Sequence, residues 1–221
     1  VASVGEGVTD VGVGDRITAV PLVPCQQCVY CKAGRYALCE GYSYIGSRTD
    51  GAFAEFVKIP AENVLKLPDG VDFETGAMSD PAAVALHAVR KAGVTIGDSV
   101  VVLGTGPIGM FAVQWAIIGG ASSVVAVDVV EDKLKVARQL GADLCVDASR
   151  EDPVAAIHRF TGGMGANRVI ETAGVKKTQD QACQIAARLG RVVLCGISHT
   201  DLPLSELSVD RIMRRELSLV G

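Results

Sequence analysis

The chain has 221 residues, 49% of them hydrophobic, and its 25 acidic and 21 basic residues give a formal net charge of −4. This composition predicts one or two folded α/β domains and excludes a disordered or disulfide-dense chain. The slightly acidic balance provides no general attraction to nucleic acid or anionic lipid, and no apolar run approaches the ~20 residues that a membrane helix needs. We therefore expect a cytoplasmic protein that has neither nucleic-acid nor membrane partners.

The first third of the chain is typical of β-structure. GDRITAVPL (14–22) and GAFAEFVKIP (51–60) predict strands that are separated by turns. Together they indicate a β-rich domain over residues 1–75 that is only partly present. The opening residues look like the middle of a strand and turn, and the final LSLVG begins a further strand. We expect both ends to be cut from a longer protein.

Four of the seven cysteines lie between these two strand-like segments, with the spacing Cys25-x2-Cys28-x2-Cys31-x7-Cys39. Each Cys-x2-Cys step turns two thiolates toward a point about 2.3 Å from a central zinc, and four thiolates complete a tetrahedron. The loop has no periodic apolar face, so that metal binding would fold it. Because four thiolates leave no coordination position open, we predict a structural zinc.

Three other interpretations of the cysteine cluster stay open. Two disulfides would suit an exported protein, although Cys145, Cys183 and Cys195 lie in apolar segments, as reduced core cysteines do. A thioredoxin-like redox pair is disfavoured because the motif does not open a helix after a strand. An iron–sulfur cluster uses the same Cys-x2-Cys steps and is the strongest alternative.

From Ser99 the pattern becomes that of a nucleotide-binding fold: an apolar strand at 100–103, the motif GTGPIG and then a helix with one apolar face. Gly104 permits the tight turn, Gly106 lets the backbone approach a pyrophosphate, and Gly109 lets helix and strand pack closely. Pro107 fits the first helical position, and Ile108 begins the apolar face. The helix N-terminus offers unpaired N–H groups to the pyrophosphate. We assign these five residues to a dinucleotide site.

A second apolar strand, at 124–127, ends at Asp128, about twenty residues beyond the glycine motif. A carboxylate at that position accepts hydrogen bonds from the adenosine ribose hydroxyls. It would also repel the 2′-phosphate of NADP, so that NAD is the favoured cofactor.

The alternation of strands and helices continues to the end of the chain and predicts an α/β fold with a doubly wound parallel sheet of six strands over residues 76–221, incomplete at its C-terminus. The ligand crevice then lies at the carboxyl ends of the strands, near Gly104, Thr172, Gly174 and Gly196. The further predicted elements are helices at 133–140, 153–160, 181–189 and 207–215, and strands at 144–146, 167–171 and 191–197.

The order of these features resembles that of the zinc-containing medium-chain dehydrogenases. GDRITAV, the cysteine lobe, DGAFAEFVKIP, LPDGVDFETGA and GTGPIG together cover essentially the whole chain, and CKAGRYALCEGYSYIGSRTDGAFAEF with ETAG is most similar to the polyol branch. The resemblance implies a Rossmann domain joined to a partial GroES-like catalytic domain. It also implies NAD-dependent oxidation of a secondary alcohol of a polyol or polyol phosphate to a ketose, by a homodimer or homotetramer.

The resemblance further implies a second, catalytic zinc that acts as a Lewis acid. In the family a Cys and a His, often with an adjacent Glu, hold it from the region upstream of Val1, and another ligand comes from the segment that matches GAMSDPAAVALHA. Asp80 is the candidate ligand there, where polyol enzymes usually have Glu. The shorter side chain must approach the metal more closely or bind it through water. From the residues alone, an Asp that precedes a proline is better explained as a helix cap without a metal, whereas the resemblance favours the metal ligand.

Lys133 matches a family position that is often basic and near the adenosine ribose, although a solvated surface lysine explains it as well. None of the three histidines is given a role: His87 is expected to be packed in the core, His158 to lie on a surface helix and His199 in a polar loop.

Three alternatives to a polyol dehydrogenase stay open. A threonine dehydrogenase or a simple alcohol dehydrogenase would share every visible motif. A non-catalytic protein that binds NAD and zinc would share them too. Because most ligands of the catalytic zinc lie outside the chain, we expect residues 1–221 alone to be inactive.

Overall fold

The computed structural model describes residues 1–198 and 209–221. Its contacts divide the chain into two units, Val1–Asp80 and Pro81–Gly221. The elements of the first unit are, in chain order, β1 (Ile17–Ala19), β2 (Leu22–Val23), α1 (Val29–Lys32), β3 (Ser43–Tyr44), β4 (Val64–Lys66) and α2 (Phe73–Ala77). The helix α3 (Ser79–Ala92) begins at the end of this unit and continues into the second.

Two short antiparallel strand pairs organise the first unit. β1 pairs with β4, and β2 pairs with β3. The amide Nδ2 of the buried Asn63 donates to the carbonyl oxygens of Val20 and Leu22, both at 2.7 Å. Since Val20 follows β1 and Leu22 begins β2, this one side chain fixes the turn between the two pairs.

The predicted strand at 51–60 is wrong. These residues form bends and irregular backbone without a ladder, and the rings of Phe53 and Phe56 are exposed. The alternating apolar residues favour a strand, but a strand also needs a neighbouring backbone to complete its hydrogen bonds. Among the described residues, none pairs with this segment.

The second unit alternates strands and helices, as the sequence predicts. After α3 its elements are β5 (Ser99–Leu103), α4 (Pro107–Ile118), β6 (Ser123–Asp128), α5 (Glu131–Gln139), β7 (Leu144–Asp147), α6 (Pro153–Phe160), β8 (Ala166–Glu171), α7 (Lys176–Ile185), β9 (Ala186–Leu194), α8 (Val209–Arg215) and β10 (Ser218–Val220).

The six strands of this unit form one parallel sheet in the order β10-β9-β8-β5-β6-β7. The order reverses between β5 and β8, where Leu103 at the end of β5 pairs with Val127 on one side and Glu171 on the other. This is the doubly wound arrangement, whose ligand crevice opens at that switch point. The predicted α/β fold class is confirmed.

Both faces of the sheet are covered, which explains the continuous apolar runs in its central strands. One face packs against small residues of α3, α4 and α5, among them Ala88, Ala112 and Ala137. The other packs against α6 and α7, with Ile157 and Ile185 fully buried. On the first of these faces the indole Nε1 of Trp115 in α4 donates to the carbonyl oxygen of Ala82 in α3 at 3.0 Å.

Two predicted helices differ from those observed. The helix predicted at 181–189 runs from Lys176 to Ile185, and Leu189 is an exposed strand residue with φ of 61°. A Cβ on Gly165 would lie 2.4 Å from the carbonyl oxygen of Ile185, so that the two segments are packed backbone to backbone where the helix ends. Of the helix predicted at 207–215, the described part is Val209–Arg215.

No helix in the described ranges combines the length and the apolar character that crossing a membrane requires.

Candidate functional site

The four cysteines predicted as metal ligands lie together in the first unit. The Sγ atoms of Cys25, Cys28, Cys31 and Cys39 are all within 4.8 Å of one another, and those of Cys25 and Cys31 are 4.0 Å apart. Sulfurs that each lie about 2.3 Å from one zinc are about 3.8 Å apart in a regular tetrahedron. The donor set therefore fits a zinc ion after a small contraction.

Local backbone geometry directs N–H groups at these sulfurs. The backbone N–H groups of Cys25 and Cys28 donate to the Sγ atoms of Cys39 and Cys25, at 3.2 and 3.4 Å. Hydrogen bonds from the backbone of Gln27 and Cys28 lower the pKa of Cys25 to about 6, whereas burial raises the pKa of Cys31 to about 12. A bound cation would offset the cost of ionising the buried thiol, as a structural metal site requires.

The glycine motif forms the turn between β5 and α4. Gly104 has φ of 93°, and a Cβ there would lie 2.9 Å from the backbone nitrogen of Ala173. A Cβ on Gly109 would lie 1.9 Å from the carbonyl oxygen of Gly104. Both glycines are therefore needed by the fold itself, the first for its backbone conformation and the second for the close packing of turn and helix.

Gly106 differs from the other two glycines of the motif. It caps α4 with φ of −67°, which any residue can adopt. Apart from its two chain neighbours, no described residue has an atom within 4 Å of the position that its Cβ would take. The missing side chain therefore leaves open space directly before the N-terminus of a helix of 12 residues. Pro107 at the first helical position is exposed beside that space, and Ile108 packs against the core. This cradle fits the pyrophosphate of a dinucleotide.

Asp128 ends β6, the neighbour of β5, and its side chain is 8% exposed. Oδ2 accepts hydrogen bonds from the backbone N–H and the hydroxyl of Thr105, and Oδ1 accepts from the backbone N–H groups of Val129 and Val130. Burial alone would raise the pKa of Asp128, but these hydrogen bonds together lower it. The carboxylate is thus held ionised at the edge of the crevice, in the place predicted for a ribose acceptor.

Lys133 lies two residues inside α5, and its Nζ is 3.9 Å from Oδ2 of Asp128. The ammonium side chain is 47% exposed. The pair therefore presents one negative and one positive group at the same corner of the crevice.

Thr172, Gly174 and Gly196 follow β8 and β9 at the opposite side of the switch point. The hydroxyl of Thr172 lies 2.7 Å from the carbonyl oxygen of Gly104. Gly174 has φ of 69°, and a Cβ on Gly196 would lie 2.1 Å from the Gly174 backbone nitrogen. The structure thus brings the three predicted residues together with the glycine turn in one crevice.

Asp80 lies in the first turn of α3, which begins one residue earlier at Ser79. A capping side chain belongs to the residue that precedes the first helical one, so that the N-cap hypothesis for Asp80 does not describe this helix start. Its exposed carboxylate is close enough to Tyr44 to contribute, after burial, to the raised pKa of that phenol. Within the described residues, Asp80 belongs to no group of metal-binding side chains.

His87 and His158 take no part in these sites. His87 is exposed on α3, so that its predicted place in the core is wrong. The buried face of that helix is formed by small apolar residues such as Ala85 and Ala88. His158 is half-buried on α6, with Nε2 3.2 Å from the carbonyl oxygen of Gln184. His199 lies outside the described residues.

Sequence reasoning gave no role to two buried polar residues of the crevice, Thr105 and Glu171. Thr105 is the variable residue between the first two glycines of the motif, and Glu171 is the last residue of β8. The available signal for Glu171 was a carboxylate at the end of an apolar strand, next to the glycine-containing stretch TAG.

Comparison with known proteins matches both units. The profile of the zinc-binding dehydrogenases matches residues 107–221, and that of the GroES-like domain of alcohol dehydrogenases matches residues 1–69. Galactitol 1-phosphate 5-dehydrogenase of Escherichia coli K12 is 38% identical over 220 residues, which are 99% of this chain and 63% of that protein. L-Threonine 3-dehydrogenase of Symbiobacterium thermophilum is 36% identical over 97% of this chain and 60% of its own length.

A solved structure of a zinc-binding dehydrogenase from Sinorhizobium meliloti 1021, bound to NADP, superimposes with a TM-score of 0.93 at 35% identity. That match covers 100% of this chain and 65% of the other. The chain thus spans less than two thirds of the length of these relatives.

Proposed function

Because the chain belongs to the zinc-binding dehydrogenase family, we propose that it forms the dinucleotide-binding unit and part of the catalytic unit of an NAD-dependent polyol or polyol-phosphate dehydrogenase. The reaction is the oxidation of a secondary alcohol to a ketone. The observation that carries the proposal is the crevice at the β5–β8 switch point, where an open glycine cradle and a fixed carboxylate lie side by side.

The chain's own residues would bind and orient NAD. The space beside Gly106 and the first turn of α4 would receive the pyrophosphate. Asp128, already anchored by four donors, would accept hydrogen bonds from the adenosine ribose and disfavour a 2′-phosphate. The ammonium of Lys133, whose Nζ lies 3.9 Å from Oδ2 of Asp128, would contact the same ribose.

We propose that this protein binds two zinc ions, one structural and one catalytic. Cys25, Cys28, Cys31 and Cys39 would hold a structural ion, since four thiolates fill a tetrahedron. Asp80 would be one ligand of the catalytic ion, together with ligands from outside this chain. The chemistry that the catalytic zinc and NAD supply when bound is polarisation of the alcohol oxygen and acceptance of a hydride.

The similarity to a galactitol 1-phosphate dehydrogenase favours a polyol phosphate or polyol as substrate. The match to an L-threonine dehydrogenase, at 36% identity, makes L-threonine the second candidate substrate, and its oxidation is a reaction of the same type. Either substrate is a small molecule with a secondary alcohol that a zinc site can bind.

The test is a count of bound zinc together with a screen for NADH formation. The full-length protein is assayed with NAD and, separately, with polyols, polyol phosphates and L-threonine. We expect NADH formation with a polyol or polyol phosphate. Activity with L-threonine alone would move the assignment to the second candidate. Binding of NAD and zinc without alcohol-dependent NADH formation would show a non-catalytic protein.

We propose a homodimer or homotetramer, because β10 lies at an edge of the sheet, where a second copy has backbone groups to pair with. Light scattering at several concentrations tests this assembly. We also propose a cytoplasmic location, because the thiolate ligands of a zinc site persist best in a reducing compartment.

A further inference from the structure

A cleft that the proposed function does not use opens at the amino ends of the sheet strands, and we call it the amino-end cleft. Ser99 begins β5 in this cleft, whereas Leu103 ends the same strand at the dinucleotide crevice. Because a strand advances about 3.3 Å per residue, roughly 13 Å of strand separates the two. The cleft has a volume of about 850 Å³, which is within the usual range for sites that bind small molecules.

The amino-end cleft is positively charged although the protein as a whole is slightly acidic. Among the described residues, its lining includes two arginines, Arg188 and Arg215, and no carboxylate. The chain as a whole has 25 acidic and 21 basic residues. A cleft that collects two cations without a counter-charge therefore departs from the composition of the chain and favours an anionic ligand.

The two arginines reach across to each other's segments. Nη1 of Arg215, at the end of α8, donates to the carbonyl oxygen of Ala186 at the start of β9, at 3.1 Å. Nη1 of Arg188 donates to the carbonyl oxygen of Arg214 at 3.4 Å. Both guanidinium groups therefore lie between the start of β9 and the end of α8. No carboxylate in the described ranges forms an ion pair with either of them.

These carbonyl contacts give the arginines a structural role but do not neutralise their charge. A carbonyl oxygen carries only a partial negative charge, and a guanidinium group has five N–H donors, of which each contact uses one. Arginine stays protonated at every pH at which the protein is folded. Two like charges held near each other repel, and an anion bound between them would offset that repulsion.

The side-chain amide of Asn167 adds a further donor to the cleft. Its Oδ1 accepts a hydrogen bond from the backbone N–H of Ser99 at 2.9 Å. Because only an oxygen accepts from a backbone N–H, this bond fixes the orientation of the amide and identifies the other end as Nδ2. Asn167 is exposed, and its Nδ2 donates to no described residue. This N–H₂ group is therefore available to a ligand.

Two exposed apolar side chains also line the cleft. Phe160, which ends α6, is 44% exposed, and Met164, in the turn between α6 and β8, is 76% exposed. An aromatic ring and a thioether are surfaces against which an apolar or planar group packs. The cleft thus combines positive charge and N–H donors with an apolar surface.

We propose that the amino-end cleft binds a small phosphate monoester that carries an aromatic or apolar group. Arg188 and Arg215 hold the phosphate oxygens, because the guanidinium fork matches phosphate geometry. Nδ2 of Asn167 donates to a further oxygen, and the organic group packs against Phe160 and Met164. A phosphate monoester carries between one and two negative charges at pH 7, which matches two cations better than the single charge of a carboxylate does.

The experiment titrates phenyl phosphate and, separately, inorganic phosphate into the full-length protein by calorimetry, with NAD in excess. We expect phenyl phosphate to bind about three- to ten-fold more tightly than inorganic phosphate, because only the ester has a ring to bury. Its affinity should fall as the salt concentration rises. Absence of saturable binding, or equal affinities for the two anions, overturns the proposal. Displacement of NAD by phenyl phosphate also overturns it, because the anion would then lie in the dinucleotide crevice.

Arginine variants locate the bound anion. Arg188→Gln should weaken phenyl phosphate about ten-fold through the loss of a charge-assisted hydrogen bond, and Arg188→Lys, which keeps the charge, should lose less. The matched control is Arg138→Gln, because Arg138 is an exposed arginine in the last turn of α5 and does not line the cleft. An unchanged Kd in Arg188→Gln, or an equal loss in the control, places the anion elsewhere and overturns the proposal.

Two further variants test the cleft even if Arg188→Gln does not fold. Asn167→Asp keeps the size of the side chain and an oxygen for the N–H of Ser99, but replaces Nδ2 by a negative oxygen. It should weaken phenyl phosphate more than ten-fold, and unchanged binding overturns the proposal. Met164→Ala should weaken phenyl phosphate about two- to five-fold and leave inorganic phosphate unchanged. Equal effects on the two anions would contradict the apolar contact and with it the proposed ligand class.

Discussion

The backbone N–H and the hydroxyl of Thr105 both donate to one carboxylate oxygen of Asp128, at 2.7 and 2.9 Å. The second residue of the glycine motif is thus tied to the residue that ends the next strand. Because Val129 and Val130 occupy the other oxygen, the carboxylate cannot rotate without losing several hydrogen bonds. Its orientation toward the crevice is set before any ligand arrives.

Thr105→Val should remove one of the four hydrogen bonds that hold this carboxylate while keeping the shape of the side chain. Thr105 is buried, and a hydrogen bond to a charged group contributes about 1.5–3 kcal/mol, so we expect a loss of that order in the free energy of unfolding. Chemical denaturation checks it. Thr105→Ser keeps the hydroxyl and should stay within about 1 kcal/mol of the wild type. Equal losses in the two variants would contradict a role for the hydrogen bond.

Asp128→Ala should weaken NAD binding and reduce the preference for NAD over NADP. A lost hydrogen bond between a ribose hydroxyl and a carboxylate predicts a fall in NAD affinity of about ten-fold or more. The matched control is Asp147→Ala, because Asp147 pairs with Asp128 in the sheet but bonds to Ser149 instead of the glycine turn. Kd values for both cofactors are compared. Unchanged selectivity in the Asp128 variant would count against it as the ribose acceptor.

Two alanine substitutions in the glycine motif should separate binding from folding. A Cβ on Gly106 would meet no atom of the described residues beyond its chain neighbours within 4 Å, so that Gly106→Ala should leave the free energy of unfolding within about 0.5 kcal/mol of the wild type. It should nevertheless weaken dinucleotide binding more than ten-fold, because the methyl group fills the cradle. Full binding by this variant would place the pyrophosphate elsewhere.

Gly109→Ala is the complementary change. Its Cβ would lie 1.9 Å from the carbonyl oxygen of Gly104, which forces the helix away from the turn. We expect a loss of about 1–3 kcal/mol in the free energy of unfolding, despite the higher helix propensity of alanine. Denaturant titration provides the measurement, and a variant as stable as the wild type would show that the turn is loosely packed.

The cysteine lobe should carry about one zinc ion per chain and lose it when a ligand is removed. Cys31→Ser should abolish the bound metal and make the first unit sensitive to proteases, because that loop has no apolar core of its own. Cys145→Ser, in the second unit, is the control and should retain the metal. Mass spectrometry under native conditions counts the ion. Zinc retained by Cys31→Ser, or iron in place of zinc, would refute the assignment.

Asp128 should also give the protein a measurable acid sensitivity. Its pKa in the folded protein is lowered below the usual 3.8, so that the unfolded chain binds the proton more tightly. The stabilisation is therefore complete above about pH 5 and is lost progressively as the pH falls through the unfolded-state and then the folded-state pKa. The difference in unfolding free energy between wild type and Asp128→Asn should shrink as the pH is lowered from about 5 to below 4. A difference independent of pH would mean that the carboxylate is not held ionised.

The nucleotide-binding fold and its glycine turn could be predicted because their signals are local. The apolar run before Gly104, the spacing of the glycines and the position of Asp128 all lie within one strand–helix–strand unit. The pattern of these residues can therefore be recognised without knowledge of distant segments. The cysteine spacing is equally local, which is why the metal-ligand cluster was visible before the fold.

The remaining features depend on contacts between distant segments. Phe53 and Phe56 follow a strand-like alternation, but a ladder needs a partner that the described chain does not provide for them. The end of α7 is set by the close approach of Gly165, which no periodicity reveals. The burial of the Glu171 carboxylate, with one oxygen unpaired among the described residues, is likewise visible only in the folded structure.

The position of Trp115, whose indole donates to the carbonyl oxygen of Ala82, has a practical consequence for spectroscopy. Trp115 is the only tryptophan of the chain and lies in the second unit, on the helix whose N-terminus forms the cradle. The four tyrosines all lie in the first unit, at positions 30, 36, 42 and 44. Selective excitation of the indole therefore records the unfolding of the second unit, and tyrosine emission records that of the first unit. The natural sequence thus carries a separate optical reporter for each unit, without any added label.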